Sequence, residues 1–84
     1  MSLAEQRKEE GNRYFQMGKF SAAIDAYSEC ICLEPKAAAV YYTNRAMCWR
    51  QKEDWAHVIA DCKSALQLDP RRIKAHYFLG VALC

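Results

Sequence analysis

The chain repeats itself. Displaced by 35 residues it overlays on its own sequence, with Pro35 falling on Pro70 and each following an acid, Glu34 or Asp69. Leu33 then meets Leu68, Ile31 meets Leu66, Ile24 meets Ile59, Phe20 meets Trp55, Tyr14 meets Trp49 and Gly11 meets Ala46. Partners agree in size or character more than in identity, as positions selected for their fit do. A period between about 20 and 50 residues marks stacked units, each burying a face on its neighbour.

Two helices are legible within each period. Ser2 and Glu5 form a capping box that opens the first. It runs to about Met17, where Gly18-Lys19 breaks it. The second runs from near Ser21 to Leu33 and stops before Pro35, because a residue preceding proline avoids helical geometry. The next unit repeats the plan: a helix from Ala38 to Gln51, an N-cap at Asp54, then a helix from Trp55 to Leu68. A fifth helix begins near Arg72. Glycine (three) and proline (two) are scarce, which suits helices better than sheet. Small residues at Gly11, Ala23, Ala46 and Val58 let paired helices approach closely, with Tyr14 and Trp49 filling the space beside them. Arg7, Gly11 and Tyr14 form a stripe expected to pack inward.

Several function classes fall away. With 84 residues there is room for one small domain and little for two catalytic lobes around a deep cleft. The formal charge is +2 with both signs interspersed, so bulk attraction to nucleic acid is not expected. The longest apolar run, Ala37 to Tyr42, is too short to span a bilayer, so no membrane partner is expected. The first residues turn charged at once and carry no apolar signal region. Five cysteines, an odd number, argue against a closed disulfide framework and for a reducing, cytoplasmic or nuclear setting. Most of these cysteines are read as buried small hydrophobes, with Cys84 the thiol expected to oxidise between molecules.

No catalytic residue, metal site or cofactor is read from the sequence. Cys30 and Cys32 sit two positions apart, pointing about 200° apart on a helix, and cannot grip one ion. His57 and His76 have no ligand at suitable spacing. Gly18-Lys19 lacks the spacing of a phosphate loop, and Phe20 replaces its hydroxyl residue. Arg71, Arg72 and Lys74 read as a solvated helix start.

The pattern resembles the tetratricopeptide repeat, a helix–turn–helix unit of about 34 residues. The family's small-residue, aromatic and proline positions fall on Gly11, Tyr14, Ala23, Tyr27 and Pro35, then on Ala46, Trp49, Val58, Cys62 and Pro70. Leu79-Gly80 resembles the Leu-Gly pair of a third repeat. The resemblance implies an all-α solenoid: a repeat over about 4–37, a second over about 39–72, and the first helix of a third over 73–84. One domain fragment of a longer array is expected. Arg7 and Glu10 depart from the family's apolar preference, and one extra residue sits near Ala37-Ala38.

Within the family, Lys8-Glu9-Glu10-Gly11-Asn12, Tyr42-Thr43-Asn44-Arg45-Ala46 and Ile73-Lys74-Ala75-His76 resemble the chaperone-binding, carboxylate-clamp subset. Its co-chaperone ubiquitin ligases are the most similar members. Nothing in this sequence resembles their U-box, so ligase activity is not carried over to these residues. The resemblance implies a partner: the Glu-Glu-Val-Asp C-terminal peptides of seventy- and ninety-kilodalton heat-shock chaperones. It places the carboxylate contacts at Lys8, Asn12, Asn44 and Lys74. Many clamp domains have an arginine one turn after Lys74, where this chain has Phe78.

Helical spacing supports the same residues independently. Lys8, Asn12 and Phe15 share one face of the first helix, Val40, Asn44 and Met47 one face of the third, and Lys74, Phe78 and Val81 one face of the fifth. Stacked side by side, these stripes line a groove holding two ammonium groups and two amides. Lysines give carboxylates charge-assisted hydrogen bonds, and asparagines can also hold a peptide backbone. Phe15, Val40, Met47, Tyr77 and Phe78 are the candidate apolar contacts for a peptide. The competing reading is a scaffold or transport-receptor domain that binds another protein without reading a carboxylate. His76, Leu79, Gly80 and Leu83 should form an uncovered face on the last helix, through which the chain is expected to self-associate.

Overall fold

The computed structural model describes residues 2–84. They form five α-helices: α1 (Leu3–Gln16), α2 (Phe20–Leu33), α3 (Ala39–Gln51), α4 (Trp55–Leu68) and α5 (Ile73–Leu83). A short 3₁₀ turn, Pro35–Ala37, precedes α3. No strand occurs among the described residues, and none of their helices is long and apolar enough to cross a membrane. Consecutive helices pack against each other, giving the all-α repeat solenoid expected from the period.

Local chemistry sets the ends of the helices. Ser2 Oγ accepts the Glu5 N–H at 3.1 Å, and Asp54 accepts the His57 N–H at 3.4 Å while its second oxygen meets His57 Nδ1 at 2.8 Å. The two inter-helix turns within the repeats are built alike. Lys19 N–H bonds Tyr14 O at 2.8 Å, and its counterpart Asp54 N–H bonds Trp49 O at 2.9 Å. Each turn needs one left-handed residue. Gly18 fills it at φ +75°, whereas the second turn forces Glu53 to φ +58°. The extra residue near Ala38 is taken up by the 3₁₀ turn. Thus α3 begins 39 − 35 = 4 residues after its proline, and α5 begins 73 − 70 = 3 after its own.

The core forms where small residues face large ones. A Cβ on Gly11 would lie 2.7 Å from Tyr27 Cε1, so glycine lets the fully buried Tyr27 ring rest on α1. Ala46 plays this part in the second repeat, buried with Val58, Cys62 and Phe78. Trp49 packs against both the Ala46 cluster and the Tyr27 cluster, and its ring stacks on His57 at 4.3 Å. Cys30, Ala38 and Tyr41 make a third cluster, in which the Cys30 thiol donates to Ala4 O. Arg45 binds nearly buried Asp61 through two nitrogens at 2.7 and 2.8 Å and also donates to Ser28, tying α2, α3 and α4 together.

One expectation is corrected. Gly11 is buried and Tyr14 packs on the core, but Arg7 does not turn inward. Its guanidinium stays partly exposed and bridges Glu10 on its own helix and Glu29 on α2. A charged head cannot enter an apolar core without a partner, and both partners lie at the surface. Cys84 is exposed, and a second thiol shares that exposure. Cys30, Cys48 and Cys62 are buried, whereas Cys32 is exposed like Cys84 because it lies on the other side of α2 from Cys30.

Candidate functional site

The first helix brings two of its three candidate residues into one hollow. Asn12, Phe15 and Gln16 of α1, Tyr27 of α2 and Met47 of α3 line a cavity of about 330 Å³. Phe15 is half-buried, its ring meeting Phe20 edge-on at 5.3 Å, so one face is core and the other faces the hollow. Met47 likewise rests on the Ala46 cluster while lining the cavity.

The Tyr27 hydroxyl donates to Asn12 Oδ1 at 2.5 Å. Burial raises the Tyr27 pKa above the usual tyrosine range, so the hydroxyl keeps its proton as donor. Because Oδ1 is engaged, the amide Nδ2 of exposed Asn12 is left to donate outward. Asn44, half-buried in mid-α3, makes no side-chain hydrogen bond among the described residues. Asparagine inside a helix is less favourable than alanine, and no local bond offsets that cost here.

The lysines lie further apart. Lys8 is half-buried one turn before Asn12, close enough to Cys30 to oppose the burial that raises that thiol's pKa. Lys74 lines a different hollow with Asp69, Arg71, Arg72 and Ile73. The cavity at Asn12 therefore gathers Asn12, Phe15 and Met47, but not Lys8, Asn44 or Lys74. Neither lysine is ion-paired among the described residues. The helices that carry Asn44 and Lys74 are tied by neighbouring residues: Arg72 Nε donates at 2.8 Å to Thr43 Oγ1, which itself donates to Ala39 O at 2.7 Å.

The apolar candidates divide. Phe78 is 6% exposed and packs on Ala46, Val58 and Cys62, so most of its ring belongs to the core. Tyr77 is 56% exposed and lies 5.4 Å from Phe78. Val40 rests against the Cys30 cluster. Two residues were not among the sequence candidates for the site. The sequence pattern marks Tyr27 only as a packing position and carries no signal at Arg50. The Arg50 guanidinium lies 5.9 Å from the Tyr77 ring centre and 5.8 Å from that of Phe78. Among the described residues, no group of three or more His, Cys, Asp or Glu could hold a metal ion.

The family model for the TPR repeat matches residues 11–43. The chain superposes on the second TPR domain of Spaghetti (RPAP3), solved with the HSP90 peptide SRMEEVD, with a TM-score of 0.93 and 30% identity over 98% of this chain and 75% of that one. The chain belongs to the TPR repeat family. Another TPR neighbour is the TPR2B domain of yeast Sti1, from a pHsp70 complex, with a TM-score of 0.89 and 33% identity over 94% of this chain and 62% of that one. In sequence it is 50% identical to the E3 ubiquitin-protein ligase CHIP of Arabidopsis thaliana over 98% of its own length, but spans 29% of that protein. It is also 40% identical to the human mitochondrial import receptor subunit TOM70, over 89% of this chain and 13% of the receptor.

Proposed function

We propose that this TPR domain captures the acidic C-terminal tail of a cytosolic heat-shock chaperone by gripping two carboxylates. In this reading Lys8, Asn12, Asn44 and Lys74 hold the terminal carboxylate and the adjacent aspartate side chain. Phe15, Val40, Met47 and Tyr77 receive apolar parts of the peptide. The orientation of Asn12 is the observation that carries the reading. Tyr27 engages the amide oxygen and leaves its N–H donors free, the polarity a carboxylate requires. Superposition on domains solved with HSP90 and pHsp70 peptides supports the same ligand class. Likeness to the Arabidopsis ligase supports a protein quality-control setting, with these residues recruiting the client-bearing chaperone and ubiquitin transfer performed elsewhere. The setting would be cytoplasmic or nuclear.

The test compares peptides ending in Glu-Glu-Val-Asp as the free acid and as the C-terminal amide. The free acid should bind about 10-fold or more tightly, since each charge-assisted hydrogen bond is worth about 1.5–3 kcal/mol. Equal affinities would remove the clamp. They would favour the second reading, a transport-receptor or scaffold surface, for which likeness to the import receptor is the supporting observation.

A further inference from the structure

Among the described residues, Arg50 is a cation held in place by aromatic rings and not by an acidic partner. Arg7 and Arg45 are ion-paired with carboxylates, and Arg72 is bonded to Thr43. Arg50 has no acidic partner among the described residues. It is not simply solvated either. It is half-buried, with its guanidinium within 6 Å of the centres of two rings, Tyr77 and Phe78. A guanidinium held over aromatic faces is oriented without losing charge, and its in-plane N–H edges stay free for a carboxylate fork. Its position matters as much. Arg50 follows Met47, which lines the Asn12 cavity, by three residues on α3, and so lies on the adjoining face of that helix. Its aromatic partner Tyr77 follows Lys74 by three on α5, so two helices converge on this cation.

We infer that Arg50, seated on Tyr77 and Phe78, forms a further anion-binding position in the groove, and that it reads an acidic side chain upstream of the peptide's last residue. This rests on the clamp reading for the peptide's placement, but it concerns a different carboxylate. Phe78 thus contributes from inside the core, as the floor beneath a guanidinium supplied by α3. Arginine fits the role better than lysine would, because stacking and forked donation use different parts of one planar group.

The experiment uses three peptides of one length: ending Glu-Glu-Val-Asp as free acid, the same as amide, and ending Gln-Gln-Val-Asp as free acid. Each is titrated against the native chain and against Arg50→Gln, whose fold is checked by circular dichroism and thermal melting. The native chain should lose about 3- to 10-fold in affinity on the Glu-to-Gln change, the range for a partly exposed forked pair. Arg50→Gln should bind both acid peptides equally while still preferring acid over amide. Equal binding of the Glu and Gln peptides by the native chain overturns the inference, and that measurement needs no variant. An undiminished Glu preference in Arg50→Gln overturns it as well. Loss of the acid-over-amide preference in the native chain instead strikes the clamp reading. The Glu-to-Gln comparison would still decide the role of Arg50.

Discussion

The Tyr27 hydroxyl donates to Asn12 Oδ1, joining α2 to the groove face of α1 and fixing which end of the amide a ligand meets. The same ring closes over Gly11, so one residue both packs the first repeat and orients its candidate donor. Tyr27→Phe keeps the ring and removes the hydrogen bond. We expect tail-peptide affinity to fall about 3- to 10-fold, with little change in helix content, because the amide becomes free to flip. Calorimetric titration beside circular dichroism separates this from unfolding, and unchanged affinity would mean the orientation is immaterial.

Gly11→Ala tests the close approach. The new Cβ would meet the Tyr27 ring at 2.7 Å, and a fully buried ring has little room to retreat. Overpacking of this kind costs about 1–3 kcal/mol, despite the better helix propensity of alanine. Urea denaturation should show a lower midpoint; a higher one would show that α1 can shift.

Glu53 offers the opposite change. It holds a left-handed backbone at φ +58° in the turn where the first repeat uses Gly18. Glu53→Gly removes the steric cost of a side chain there, about 1–2 kcal/mol, partly offset by a more flexible unfolded chain. Net stabilisation of about 0.5–1 kcal/mol is expected, and a lower melting temperature would contradict it.

Arg72 and Thr43 connect α5 to α3, and Thr43 is almost wholly buried. Thr43→Val removes the acceptor without leaving a void. The start of α5 should then exchange its amide hydrogens faster, and peptide binding should weaken because Lys74 rides on that segment. Unaltered exchange at Ile73–His76 would show that other contacts seat the helix.

The thiols give a pH signature. Burial pushes Cys48 up to about 12 and Cys62 up to about 11, against an ordinary value near 9. Above that value the unfolded chain releases these protons while the folded chain keeps them. Stability is therefore full below about pH 9 and falls as pH rises through the folded values. Alkaline titration followed by circular dichroism should show this loss. At pH 8, iodoacetamide with mass mapping should label Cys32 and Cys84 first, and the buried Cys30, Cys48 and Cys62 only on unfolding.

What the sequence determined by itself was everything set by near neighbours. The period, the five helices, the caps at Ser2 and Asp54 and the stops before Pro35 and Pro70 follow from spacing and backbone chemistry within a few residues. The shared faces of Asn12 with Phe15, and of Asn44 with Met47, were legible because helical geometry is fixed. Tertiary structure decided what those faces meet. Tyr27 reaches Asn12 across 15 positions and Arg72 reaches Thr43 across 29, and no local pattern announces either contact. Arg50 was invisible as a site residue because its meaning lies in two rings on another helix. Helical spacing put Phe78 on the groove stripe, and the closeness of α3, α4 and α5 drew it against Ala46, Val58 and Cys62. Spacing assigns a side chain to a face of its helix, but its role is settled by what another helix brings within a few ångströms of it.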